Sequence, residues 1–184
     1  LHDLTGVNTW VPRIIPQHPV FSETFQSDPA RLEALAEGIE RARYMLQNAA
    51  SVSAIRRGNE LQVTVVNESG HKLPSGYVEG RRMWLQVSGY AANGDLIYAS
   101  GTYTEATGEL EGYHTPGSTL KVYESLHGLT PDYAAELGLP AGHSFHFILN
   151  NTILFDNRIP PRGYEFGAFA AAGAAPYTDS LPDA

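Results

Sequence analysis

Seven histidines and no cysteine set the chemistry open to this 184-residue chain. His71 has the most ordered setting, in Asn67-Glu68-Ser69-Gly70-His71-Lys72-Leu73-Pro74-Ser75-Gly76-Tyr77. Gly70 and Gly76 permit backbone angles closed to other residues, and Pro74 stiffens the turn. A stiff loop holds an imidazole in a fixed direction, which suits a ligand to a metal such as iron through a neutral ring nitrogen. The other reading is that His71 bonds backbone carbonyls and pins the loop. His18, in Gln17-His18-Pro19, is a weaker version of the same ligand. His143 and His146 are three apart, and on a strand such positions face opposite sides, which makes a poor metal pair. His114 and His127 are expected in loops, solvated.

Arg81 and Arg82 closely follow Glu79. A guanidinium forks onto a carboxylate, either inside the domain or across an interface. Arg158 and Arg162 flank Pro160-Pro161 and allow the same two readings. Asn67, Glu68, Glu79, Asp95, Asp156 and Asn157 offer oxygens to Ca²⁺, without the spacing of an EF-hand. The absence of cysteine removes disulfides, zinc–thiolate sites, iron–sulfur ligation and a thiol nucleophile. Neither a G-x-S-x-G elbow nor H-E-x-x-H occurs, and Glu109 and Glu111 share one strand-like stretch instead of flanking a cleft. The expectation is a protein that is not an enzyme. Trp84, Tyr90, Tyr98, Tyr103 and Tyr123 read as strand aromatics in a core, or, if exposed in a row, as a platform for sugar rings.

Three regions must position these residues. Residues 1–27, with Pro12, Pro16 and Pro19, read as an extended arm, because proline at this density opposes regular structure. Residues 28–57 read as a helical connector. Asp28 is a good N-cap, Pro29 suits the first helical position, and Leu32, Leu35, Ala36, Ile39, Ala42, Leu46 and Ala49 form one apolar stripe. Glu37 and Arg41 pair on the outer face. Residues 58–184 read as an Ig-like antiparallel β-sandwich, which makes the fold class mainly β. Its expected strands are 61–65, 83–88, 96–103, 119–125, 144–149 and 152–155. Asn93-Gly94 is expected to form a type I′ hairpin turn. Thr130-Pro131 starts a short helix that Gly138 ends.

The segment Asn67–Tyr77, followed by Glu79-Gly80-Arg81-Arg82-Met83-Trp84-Leu85, resembles the N-x-x-G-H-x-x-P-[ST]-G…R-x-x-W-L pattern of C-terminal β-sandwich domains in multihaem c-type cytochromes. His2-Asp3-Leu4-Thr5-Gly6-Val7-Asn8 resembles the segment that follows the last haem-binding stretch in such proteins. Phe145–Asn151 and Asn157–Gly163 resemble later strands and a closing loop. The resemblance runs from about residue 2 to about residue 168. It implies an electron-transfer accessory domain packed against haem c, which is attached to an upstream segment or another chain because no CxxCH occurs here. It also implies distal iron ligands at His2 and His71, with His18, Arg81 and Arg82 near the cofactor, the arginines facing haem propionates. The implied partner is a haem-bearing segment or subunit, in the periplasm or at the cell surface. A homo-oligomer or filament role, and a carbohydrate- or surface-binding sandwich, are the alternatives.

The formal net charge is −8, and lysine occurs only at Lys72 and Lys121. An acidic, lysine-poor chain disfavours nucleic acid and anionic membranes as partners. No apolar run approaches the ~20 residues of a membrane span. The chain begins at Leu1, so a fragment or processed product is expected, with the sandwich ending early.

Overall fold

A computed structural model describes residues 5–77 and 79–172. The chain divides into two compact units, Leu1–His71 with Pro161–Gly163 and Lys72–Pro160 with Tyr164–Ala184.

In the first unit the leader is not extended. Val11–Ile14 is a helix (α1), Ile15–Gln17 a 3₁₀ turn and Ser22–Gln26 a second helix (α2). Pro12 and Pro16 fall in the opening positions of their helical turns. There the missing N–H had no helical partner to lose, so proline starts these turns instead of preventing them. The long helix α3 spans Pro29–Asn48, and Asp28 caps it by accepting from Ala30 N at 3.2 Å. Glu37 and Arg41 pair at 3.5 Å, as i,i+4 spacing predicts. Both α1 and α2 pack on α3. Ile39 and Ala42 of its stripe are buried, whereas Leu32 and Leu46 stay exposed.

Strands β1 (Ala50–Arg57) and β2 (Glu60–Asn67) follow as one antiparallel hairpin, in register from Ala50↔Asn67 to Arg57↔Glu60. The expected boundary at residue 58 therefore falls in the turn of a hairpin, and the expected helical connector contains a full strand. In Ser51-Val52-Ser53-Ala54-Ile55 the period of two is carried by small side chains, which makes it a weak signal beside the helix stripe before it. Val52, Ile55 and Leu61 of the hairpin are exposed.

Over its described residues, the second unit is built from short antiparallel strands in small sheets with two helices. Its strands are β3 (Met83–Trp84), β4 (Val87–Tyr90), β5 (Leu96–Ser100), β6 (Tyr103–Thr104), β7 (Glu109–Leu110), β8 (Val122–Tyr123), β9 (Ser125–Leu129), β10 (Gly142–His143) and β11 (Thr152–Asp156). They pair as β3-β8, β4-β5, β6-β7 and the three-stranded β10-β9-β11. Among its described residues, Leu73, Pro74, Leu110, Leu129 and Ala134 are buried and apolar.

Three local expectations change. The β4–β5 turn closes through Gly94 N→Ala91 O (2.9 Å) and Ala91 N→Asp95 O (2.8 Å). Only Gly94 has positive φ there (90°), so this is a three-residue loop ending in a left-handed glycine, not a type I′ turn. Residues 144–149 form a turn, with Leu149 N and Asn150 N both donating to His146 O. His127 lies on β9 instead of in a loop. Phe166–Ala171 is a helix (α5), in keeping with its alanines. The helix expected after Thr130 is present as α4 (Pro131–Leu137), ended by Gly138 at φ 66°.

Gly128, on the central strand β9, permits a close approach. A Cβ there would lie 2.1 Å from Gly142 O and 2.9 Å from Leu154 Cδ1. Backbone cannot yield as a flexible side chain does, so Gly128→Ala is expected to cost about 3 kcal/mol. Urea unfolding checks this, and a loss below about 0.5 kcal/mol would contradict the close packing.

Candidate functional site

The loop after β2 is fixed by Asn67, which is 2% exposed. Asn67 Nδ2 donates to His71 O at 2.6 Å, and Asn67 Oδ1 accepts from Ser69 N at 2.8 Å. The Ser69 hydroxyl lies 2.8 Å from Asn67 Oδ1 and 2.9 Å from His71 O. A buried amide that satisfies both its donor and its acceptor side defines one loop conformation. Beside it, Glu68 accepts from Ser51 Oγ at 2.8 Å and from Arg162 Nη2 at 2.5 and 2.6 Å. The Ser51 hydrogen bond, then the Arg162 guanidinium, hold the Glu68 carboxyl below its ordinary range.

The loop is thus pinned through the backbone carbonyl of His71 and not through its ring. The imidazole is exposed, and among the described residues no hydrogen bond, ion pair or ring contact engages it. A ring with both nitrogens open on a fixed backbone is the donor a metal needs. His18 is different: its Nδ1 accepts from Val20 N at 3.2 Å and its ring meets Phe21 at 5.4 Å, which leaves Nε2 open. No side-chain contact joins His18 to His71 among the described residues. His2 lies outside the described residues.

In the second unit Leu73 is buried and exchanges backbone hydrogen bonds with Ile159 at 2.8 Å in both directions. On either side of this bridge, Lys72 Nζ and Arg158 Nη2 reach Asp156 Oδ2 at 2.9 and 2.8 Å, and Arg158 Nε reaches Oδ1 at 2.9 Å. The Asp156 side chain is 4% exposed. Burial pushes its carboxyl up, but hydrogen bonds from Arg158 and Lys72 outweigh this and lower it from 3.8 to about 2.

Arg81 Nη1 donates to Ser75 O at 2.5 Å, and the guanidinium lies over Gly76, where a Cβ would meet it at 2.3 Å. Arg82 stacks on the Tyr113 ring, 4.6 Å from guanidinium carbon to centroid. Tyr113 donates to Glu124 at 2.7 Å; burial and this bond raise its phenol above the ordinary range. The two arginines therefore brace different parts of the unit, through a carbonyl and a ring instead of a carboxylate.

The sequence missed one site, because its members are 64 positions apart. Glu79, whose side chain is 1% exposed, lies with Oε1 2.7 Å from His143 Nε2 and accepts from His127 N through Oε2 at 3.0 Å. His127 Nε2 lies 3.0 Å from Ser125 Oγ. The His143 ring meets Phe145 at 5.0 Å, and Tyr77 meets Phe147 at 4.8 Å. Phe145, Phe147 and Ile148 are exposed. Because residues 144–149 turn, the alternation that set His143 and His146 on opposite faces does not apply. His114 has φ 55° and stacks on Tyr113 at 3.8 Å.

The oxygens weighed for calcium are used elsewhere: Glu68 with Arg162, Asp95 with Asn93, Asp156 with its cations, and Asn157 with Val122 O and Glu124 N. Among the described residues no group of three or more His, Asp or Glu is placed to hold a metal ion, and no helix is long and apolar enough to cross a membrane. No protein-family model, curated protein or solved structure matches this chain.

Proposed function

We propose that this chain is an electron-transfer accessory module and not an enzyme, working in the periplasm or at the cell surface. It covers haem c carried by a neighbouring segment or subunit of a multihaem cytochrome and donates a distal imidazole. The observation that carries the reading is the exposed His71 ring, unengaged among the described residues, on a loop locked by Asn67. The donor set fits iron ligation and not haem attachment, since imidazole is present and thiol is absent. When bound, haem supplies one-electron transfer. The chain's part is to orient the imidazole and exclude water, both of which tune the potential. His2 is a second donor on this reading, and His18 a third. On this reading Arg81 and Arg82 lie near the cofactor and face its propionates. We take the small antiparallel sheets of the second unit as pieces of an Ig-like sandwich. Assembly into an oligomer or filament is compatible with this role.

The test is His71→Ala in the natively purified assembly. The expected result is conversion of one low-spin ferric haem to high spin. Unchanged low-spin spectra in both His71→Ala and His2→Ala would remove the ligand role.

A further inference from the structure

We propose that two copies of this chain pair through strand β1, edge to edge and antiparallel, about a two-fold axis at Ser53. The ribbon β1–β2 is a two-stranded sheet, and among the described residues neither of its edges meets another strand. Such a ribbon is marginal in water, and further strands stabilise it. Edge strands are ordinarily guarded by proline, bulges or charges. β1 has no proline, its register is unbroken, and the run Ala50-Ser51-Val52-Ser53-Ala54-Ile55 is uncharged. All of β1 after Ala50 is exposed. β2 is the poorer edge, with charged Glu60 at its start and buried Asn67 at its end.

The ladder decides which backbone groups face outward. Glu68 N donates to Ala49 O at 2.9 Å, and antiparallel bonds recur at every second pair. Ala50, Val52, Ala54 and Arg56 therefore turn their N–H and C=O away from β2. A second β1 centred on Ser53 sets Val52 opposite the partner's Ala54, and Ala50 opposite the partner's Arg56. This register uses all four outward residues, for about eight interchain hydrogen bonds. The charges agree with it. Arg56 and Arg57 come to the partner's Ala50 and the partner's Ala49, at the carboxyl end of its α3. That helix has no basic residue in its own last turn, and a cation stabilises a helix carboxyl end. Arg57 makes no ion pair among the described residues, so its charge is uncommitted. A contact of one strand edge per copy is small, which makes the dimer reversible, with a dissociation constant on the order of 10 μM. Pairing of this kind requires no haem and stands apart from the electron-transfer reading.

The test is sedimentation equilibrium of the full 184-residue chain from about 1 μM to about 1 mM, with circular dichroism to establish folding of each variant. Wild type is expected to pass from monomer to dimer over this range. The amides of Val52, Ala54 and Arg56 should exchange about ten-fold more slowly at the high end. Ala54→Pro removes an outward N–H and leaves the ladder to β2 in place, so it should stay monomeric. Val52→Lys should weaken pairing at least about ten-fold. Val63→Pro, at an outward position of β2, should still dimerise. A wild type that remains monomeric at about 1 mM, or a dimer in which these three amides gain no protection, overturns the inference. So does a dimer undiminished in both Ala54→Pro and Val52→Lys. Loss of the dimer in Val63→Pro but not in Ala54→Pro moves the contact to β2 and overturns it, as do open-ended species larger than a pair.

Discussion

Acidification from about pH 5 to about pH 2 will cost the protein about 2 kcal/mol of stability through Asp156 alone. The carboxyl titrates at about 2 in the folded chain against an ordinary value of 3.8. On falling pH the unfolded chain therefore takes up this proton first. The stabilisation is full above the unfolded value and disappears as pH drops through the folded one. Asp156→Ala removes it at every pH and leaves Lys72 and Arg158, with side chains 24% and 17% exposed, facing each other without their anion. Breaking such a pair from one side costs about 3 kcal/mol. Urea unfolding of wild type and variant across this range checks both parts. Equal slopes of stability against pH in the two proteins would show that Asp156 does not carry the effect.

Asn67→Ala is expected to cost a similar amount, about 3 kcal/mol, because it strands several groups at once. His71 O loses its amide donor, and Ser69 N loses its acceptor, at a position 2% exposed to solvent. The same substitution frees the backbone on which the His71 ring is mounted. Its second consequence is then a faster hydrogen exchange of Ser69 N and His71 N than of the amides of β2. A variant within about 0.5 kcal/mol of wild type, with exchange unchanged, would mean that the loop is held by something other than Asn67.

Local signals were legible. The N-cap at Asp28, the stripe through Ile39 and Ala42, the i,i+4 pair of Glu37 and Arg41 and the Thr130–Gly138 helix all depend on neighbours within a few residues, and all are present. Proline misled where its position within a turn mattered more than its frequency, at Pro12 and Pro16. The Asn93-Gly94 pair marked a hairpin, but only Gly94 takes positive φ, and the turn is a three-residue loop near a register irregularity at Gly89/Tyr90. Strand β1 escaped because small side chains blur a period of two.

The site was legible in half. The glycines and proline around His71 signalled a stiff loop, yet the residue that locks it, Asn67, looked like one more polar residue of the motif. Glu79 with His143, and Asp156 with Lys72, are joined across 64 and 84 positions. No periodicity or spacing rule reaches that far, since such pairs exist only once strands have been laid side by side. The Tyr113 ring beneath Arg82 was hidden for the same reason.

The measurement that bears most directly on the account is the porphyrin content of the protein purified from its own source, by alkaline pyridine haemochrome. The account predicts haem c in stoichiometric amount, carried by a covalently loaded neighbouring segment or subunit. A homogeneous native preparation with no haem, and no haem-bearing companion, would contradict it.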